Sequence, residues 1–358
     1  MALEKPPPEA EAALQEDPQA VAGTAGLTYV SGDEPGYSRR RRGRGFTYLD
    51  PGGSPVKDPQ LRSRFEALVI PPAWTGVWIC TDEQGHIQAT GRDEKGRKQY
   101  IYHPRWAEAR SETKFNRLIP FARALPAIRE QVEADLQLRG LPRRRVTALV
   151  VRLLDATLIR IGNREYVRQN SSYGLTTLQD EHFELRGARL VFNFRGKRGL
   201  EHSIELAERR LARLVRRCQE LPGQQLFQYL PGNGEPPQSI GSGDVNAYLR
   251  EVSGQEFSAK DFRTWGGAVL AAVELYALGP AASEREAKKN ITRAVQAVAK
   301  TLGNTPAVCR KYYIHPSILQ AYLDGSLFGA VQAALSGGNG SDPALDPPET
   351  AVLDLLQR

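Results

Sequence analysis

Cysteine and methionine are scarce in this chain, with three Cys and one Met among 358 residues. Cys80, Cys218 and Cys309 are odd in number and far apart, so they offer neither a close zinc-binding pair nor a local disulfide. A disulfide framework is excluded, and a reducing cytoplasm or nucleoid is the expected home. The five histidines, His86, His103, His182, His202 and His315, are dispersed and contain no HExxH arrangement. No apolar run approaches the roughly 18 to 20 residues needed to cross a bilayer. The N-terminal residues lack the basic start, apolar centre and small-residue cleavage pattern of a secretory signal, in keeping with that location. Also missing are a GxxxxGK(S/T) loop for nucleoside triphosphates and a dinucleotide fingerprint after a strand. Asp180 and Glu181 alone do not make a two-metal nuclease. The expectation is an activity with no metal, no cofactor, no nucleotide requirement and no membrane partner.

Charge is what the chain has in abundance. Lys and Arg number 48 against 41 Asp and Glu, a formal net of +7, while 41% hydrophobic residues suffice for a sizeable core. The ends oppose this sign: residues 1–26 carry a net of −4 and residues 337–358 a net of −3. The body between them holds 46 basic and 32 acidic residues, a net of +14, and 36 of the 37 Arg. Arginine presents a rigid fork of donors matched to phosphate oxygens, so a polyanionic partner is expected.

At about 150 residues per domain, the length suggests two domains. Residues 1–26, rich in Pro, Glu, Ala and Gln, read as a disordered acidic tail. Residues 27–103 read as a β-rich domain with strands at 46–49, 77–80, 86–90 and 99–102. The change at His103-Pro104 makes 104–112 a linker or first-helix boundary. Residues 113–336 read as a larger, mainly α-helical domain containing a small β-sheet, and 337–358 as a flexible acidic tail. The fold class is α+β.

Several clusters carry candidate chemistry. Arg39, Arg40, Arg41, Arg42 and Arg44 form a positive run among glycines, suited to a phosphate-contacting arm or to a solvated loop. Arg92, Lys95, Arg97 and Lys98 surround a turn followed by Tyr100 and Tyr102. Strand alternation turns these two tyrosines to one side, where they rest on sugars and bases or pack against a neighbouring element. Arg160 follows an apolar helix, where an ordinary helix-end cation also fits. Lys260 and Arg263, three apart, share a helix face, an arrangement that a surface ion pair would equally use. Lys197 sits between Gly196 and the Arg198-Gly199 pair in a predicted hairpin, from which a mobile lysine can reach a ligand and donate a proton. In Gly303-Asn304-Thr305-Pro306, Thr305 is placed to cap a helix with Pro306 first, and Arg310, Lys311, Tyr312 and Tyr313 follow. A phenol titrates near 10, and surrounding cations would favour the phenoxide needed for attack, although a packed tyrosine pair with phosphate-binding cations fits the same string.

Taken in order, Ile159-Arg160-Ile161-Gly162, Gly196-Lys197, Ala259-Lys260-Asp261-Phe262-Arg263-Thr264-Trp265, and Gly303-Asn304-Thr305-Pro306 with Arg310-Lys311-Tyr312-Tyr313 resemble the type IB DNA topoisomerases. The compact bacterial and poxvirus-like members are most similar, over residues 27–335. The resemblance implies Arg160 and Arg263 as catalytic arginines, Lys197 as the hairpin lysine with Lys260 assisting, and Tyr313 as the nucleophile, with Tyr312 as the neighbouring alternative. Asn304 stands where many relatives use histidine, which keeps a neutral donor for a phosphate oxygen and removes imidazole acid–base capacity. It further implies reversible cleavage of one strand of duplex DNA through a 3′-phosphotyrosine by a monomer needing no ATP. The two domains would lie on either side of the duplex, with supercoiled DNA preferred. A tyrosine site-specific recombinase is the nearest alternative, but such relatives usually carry histidine at the position of Lys260. A non-enzymatic architectural DNA-binding protein would explain the charge and leave the ordered motifs a coincidence.

Overall fold

Short runs of alternating side chains between Tyr37 and Tyr102 build a five-stranded antiparallel sheet in the computed structural model, which describes residues 18–43, 45–232, 234–337 and 345–358. The chain divides after Asn116 into two units. In the first unit the strands are β1 (Tyr37–Arg42), β2 (Gly45–Leu49), β3 (Thr75–Ile79), β4 (Ile87–Arg92) and β5 (Lys98–Tyr102), in the order β2-β1-β3-β4-β5. Tyr48, Val77, Ile79 and Ala89 bury one face against Phe65 and Ile70. Phe65 comes from a helix, here α2 (Pro59–Ala67), capped by Asp58, whose side chain accepts from Gln60 N at 2.8 Å.

Two expectations change in this unit. The arginine run is a strand rather than an arm, since Arg39 to Arg42 pair with Tyr48, Thr47, Phe46 and Gly45 of β2. Residues 18–24, expected within the disordered tail, form α1 (Pro18–Thr24), whose Val21 and Ala22 are buried with Leu27 and Trp106. Residues 1–17, the rest of that segment, and Arg44 lie outside the described residues. A helix, α3 (Pro104–Asn116), begins at the first residue of the span read as a linker or first-helix boundary, and the division comes after it.

The second unit is mainly helical. It runs through α4 (Leu118–Leu136), α5 (Arg143–Thr157) and α6 (Arg164–Asn170), then a sheet of β6 (Phe183–Arg186), β7 (Arg189–Arg195) and β8 (Glu201–Leu206). Next come α7 (Arg209–Gln219), the short pair β9 (Gln228–Tyr229) and β10 (Gln238–Ser239), and α8 (Ser242–Ser253). The last stretch holds α9 (Ala259–Leu278), α10 (Glu284–Leu302), α11 (Pro306–Tyr312), α12 (Pro316–Leu323), α13 (Ser326–Leu335) and α14 (Pro347–Gln357). Apolar residues on nearly every side of α5, from Val146 to Leu154, bury it at the centre. Helix α9 packs against α4, α5, α8, α10, α12, α13 and α14, so it is the second axis of the core.

Residues 337–358 were expected to be a flexible tail, and the structure corrects this for 345–358. Glu349 accepts from Arg129 Nη1 at 2.7 Å and from Trp265 Nε1 at 3.0 Å, and Val352 and Leu355 are buried. An acidic, Pro-rich composition hid an amphipathic helix with its own capping box at Asp346 and Glu349.

Candidate active site

Helix α5 ends because Leu158 takes the left-handed conformation, φ 54°. An L-residue there is strained by about 1 kcal/mol or more, and it persists only where its surroundings fix it. Here the fixing contact is Arg263, whose Nη1 donates to the Leu158 carbonyl. Arg160 therefore lies beyond the helix in irregular chain, and not at the helix end that the sequence suggested. Leu175 N donates to the Arg160 carbonyl at 2.7 Å and Thr176 N to that of Ile161 at 2.7 Å, so the segment is tied to the following 3-10 turn.

Arg263 stands one turn into α9 and is only 5% exposed. Its Nη2 donates to the Leu302 carbonyl at 2.7 Å, so one guanidinium joins α9, the segment after α5 and the end of α10. Its carbon lies 5.6 Å from the Tyr313 ring centroid, and the Tyr313 phenol accepts a hydrogen bond from it. Burial lowers its pKa, with Arg160 adding to the fall and Tyr313 opposing it. Arg160 is lowered too, by burial first. A buried and a half-buried cation repelling each other, with no carboxylate among the described residues paired to either, are costly unless an anion joins them.

Asn304 meets Arg160 directly: Arg160 Nη2 donates to Asn304 Oδ1 at 2.5 Å and to the Gly303 carbonyl at 3.1 Å. Gly303 ends α10 at φ 57°, a conformation that suits glycine. Thr305 caps α11, accepting from Val308 N at 3.4 Å, and Pro306 is the first helical residue, as predicted. Tyr313 closes that helix, and α9 has glycines where the site segments approach it. A Cβ on Gly267 would sit 2.8 Å from the Tyr313 carbonyl oxygen, and one on Gly266 would sit 2.6 Å from Leu158. Cys309 is buried beneath the turn.

Lys197 occupies the exposed turn between β7 and β8, its Nζ 5.8 Å from the Tyr166 ring centroid. Lys260 is exposed on the first turn of α9. Asp261, next to Lys260, caps α9, accepting from Ser258 N at 2.8 Å, and pairs with Arg117 at 3.2 Å, which makes it a support. Arg160, Lys197, Lys260, Arg263 and Tyr313 line one open pocket of about 320 Å³. Tyr166, Tyr173, Ser172 and Asn163, none of them anticipated, complete its wall. Two buried donors here find no acceptor among the described residues, Arg263 Nε and Asn304 Nδ2. Such a set of cations, orphaned donors and a phenol fits a phosphodiester.

The peripheral candidates divide. Arg40, Arg41 and Arg42 are exposed on β1, whereas Arg39 is spent internally, donating to the carbonyls of Ile70 at 2.8 Å, Pro71 at 2.7 Å and Trp74 at 3.1 Å. Arg97 pairs with Asp93 at 2.7 Å, and Arg92 Nη1 donates to the Gly96 carbonyl at 2.9 Å, so both chiefly shape their own turn. Lys95 is exposed, and Lys98 reaches Asp33 at 3.9 Å. Tyr100 and Tyr102 do share a side, stacked with centroids 5.8 Å apart and both over 40% exposed. Arg310, Lys311 and Tyr312 lie on the exposed side of α11.

Comparison with known proteins agrees with this geometry. A family described as "Eukaryotic DNA topoisomerase I, catalytic core" matches residues 103–327, and "Bacterial DNA topoisomerase IB, N-terminal domain" matches residues 45–93. The chain is 31% identical over 306 residues to DNA topoisomerase 1B of Acanthamoeba polyphaga mimivirus, covering 82% of this chain and 89% of that protein. It is 24% identical over 304 residues to DNA topoisomerase 1 of rabbit fibroma virus (strain Kasza), covering 77% and 89%. DNA topoisomerase 1B of Vaccinia virus (strain Copenhagen) is 22% identical over 250 residues, covering 67% and 74%. The fold is that of a DNA-acting isomerase. The chain belongs to the type IB DNA topoisomerases, with an N-terminal domain of the bacterial kind.

Proposed function

We propose that this protein relaxes supercoiled duplex DNA, as a monomer and without ATP, by reversible transesterification of one strand. The Tyr313 oxygen attacks a backbone phosphorus, forming a 3′-phosphotyrosine and breaking the bond to the 5′ oxygen. Arg160, Arg263 and Asn304 donate to the nonbridging oxygens, where negative charge must be balanced in the transition state. Lys197 donates the proton to the departing 5′ oxygen, because an alkoxide leaves far less readily than the phenoxide does in the reverse step. Lys260 helps to place or relay that proton. One phosphoester replaces another, so religation needs no energy source, and the stored twist of the DNA drives rotation.

The observation that carries this reading is the pair of buried donors, Arg263 Nε and Asn304 Nδ2, without an acceptor among the described residues, beside a phenol already in contact with Arg263. Contacts to phosphates through Arg40, Arg41, Arg42, Lys95, Lys98, Arg310 and Lys311, with Tyr100, Tyr102 and Tyr312 against sugars or bases, extend the grip. They make binding salt-dependent and weakly sequence-selective. A cytoplasmic, nucleoid-associated enzyme fits this activity. The test is supercoiled plasmid in EDTA without ATP: the wild type should relax it and Tyr313→Phe should not. Relaxation by both, or a need for nucleotide, overturns the proposal.

A further inference from the structure

His202, on β8, was only one of five scattered histidines in the sequence, yet the structure sets it among the site's own backbone. Its ring stacks on Phe194 at 5.0 Å and 15°. On one side lies Gly196, the residue before Lys197, where an added Cβ would come within 2.6 Å of the imidazole. On the other lies Gly303, the residue before Asn304, where an added Cβ would come within 2.4 Å. Side chains are missing at just the two positions where the ring is inserted. The imidazole is thus a spacer between the turn bearing Lys197 and the loop bearing Asn304, which holds Arg160.

We propose that His202 is the positioning residue that sets the separation of the Lys197 turn from the Gly303-Asn304 loop, and that it does so as a neutral ring. The inference rests on the proposed function and adds a residue to it. Helix ends and strand hairpins move independently unless something couples them, and a misplacement of about 1 Å in a catalytic group can cost on the order of 100-fold in rate. No polar hydrogen bond is needed for this role; the ring acts by shape, wedged between two glycines and an aromatic face.

Charge explains why the ring must be neutral. Facing it are Arg160 from the segment after α5, Arg263 from α9, and Lys197 and Tyr173 at the rim of the same small cavity. Among the described residues Glu201 beside it on β8 is the only acid acting on it, and the end of α10 contributes Thr301 and Leu302, which carry no charge. Burial lowers its pKa, and Arg160 and Arg263 lower it further against a smaller rise from Glu201. A proton on this ring would put a third cation against one buried and one half-buried guanidinium and push the turn and loop apart. Acid should therefore silence the site through His202 while leaving DNA binding, which cations favour, intact.

Single-turnover formation of the 3′ adduct tests this, using a duplex whose short leaving strand dissociates after cleavage, from pH 5 to pH 9. His202→Ala should slow adduct formation roughly 10- to 100-fold at pH 7.5, with DNA affinity held within about threefold. His202→Gln, planar and without a titrating proton, should keep most of the neutral-pH rate and lose the fall in acid. Gly196→Ala, on a backbone (φ −92°) open to any residue, presses a methyl on the same ring and should slow the step by a similar factor. An Ala variant within threefold of wild type, a Gln variant with the wild-type acid limb or the Ala rate, or an unchanged Gly196→Ala rate would each overturn the role. If the wild type forms no adduct, the proposed function fails; if it does and the variants match it, only the role of His202 fails.

Discussion

Replacing Glu349 by alanine probes whether the acidic C-terminal segment is part of the catalytic unit. The carboxylate is buried, accepts from Arg129 at 2.7 and 2.9 Å and from Trp265 Nε1 at 3.0 Å, and Arg129 also binds Asp155 at 2.8 and 3.0 Å. Burial opposes ionisation of Glu349, but hydrogen bonds from Arg129 and Trp265 overcome it and hold its pKa below the usual carboxylate value. Stripping one partner from a buried ion pair costs about 3–5 kcal/mol, less here because Asp155 still faces Arg129, so about 2 kcal/mol is expected. The stranded indole N–H adds about 1 kcal/mol. Together, about 3 kcal/mol corresponds to a fall in Tm of about 6–12 °C for a unit of this size. Trp265 lies two residues beyond Arg263 on α9, so relaxation should weaken as well. Circular dichroism melts of the wild type, Glu349→Ala, Trp265→Phe and the double variant measure this, the double variant falling short of additivity by about 1 kcal/mol. A Glu349→Ala melt within 1 °C of wild type would refute the reasoning.

Two further outcomes are expected. Lys197→Ala should slow strand cleavage roughly 10²–10⁴-fold on ordinary DNA and be largely restored when sulfur replaces the bridging 5′ oxygen, since a thiolate leaves without a proton; equal defects on both substrates in rapid-quench assays would remove Lys197 from that role. The five histidines all have pKa values lowered first by burial, so the unfolded chain binds protons sooner as pH falls through about 6.5. Stability contributed by the neutral rings is present above that pH and lost below it, so Tm should drop between about pH 7 and pH 5.5. A flat or rising Tm across that window in differential scanning calorimetry would contradict the shifts.

Some helix ends were legible from their capping residues, although the capping box of α14 was not enough against its acidic composition. Thr305-Pro306 fixed the start of α11, and in the structure His315-Pro316 begins α12 in the same way, with His315 accepting from Ser317 N at 3.1 Å. The apolar run to Leu302, stopped by Gly303, fixed the end of α10. Strand β1 was not legible because four consecutive arginines carry no alternation, and pairing with β2 decides its conformation. Arg39 looked free for the same reason, although its acceptors, the carbonyls of Ile70, Pro71 and Trp74, come from a distant loop. Candidate residues of the site were found by their order along the chain, but not what brings them together. Leu158 in a left-handed turn, Gly266 and Gly267 facing two site segments, and His202 between two glycines are consequences of packing that no local pattern records. Composition misled at α14, where Asp, Glu and Pro suggested disorder while Val352 and Leu355 carried the helix's buried side.

In the proposed reaction one phenol exchanges places with a DNA oxygen. Trapping the covalent complex on a short-leaving-strand duplex, digesting both partners and sequencing the nucleotide-bearing peptide by mass spectrometry tests it most directly. The account predicts a single modified residue, Tyr313, linked to a 3′ phosphate. Modification at Tyr312, a 5′ linkage, or no nucleotide-bearing peptide from a preparation that relaxes plasmid would contradict it.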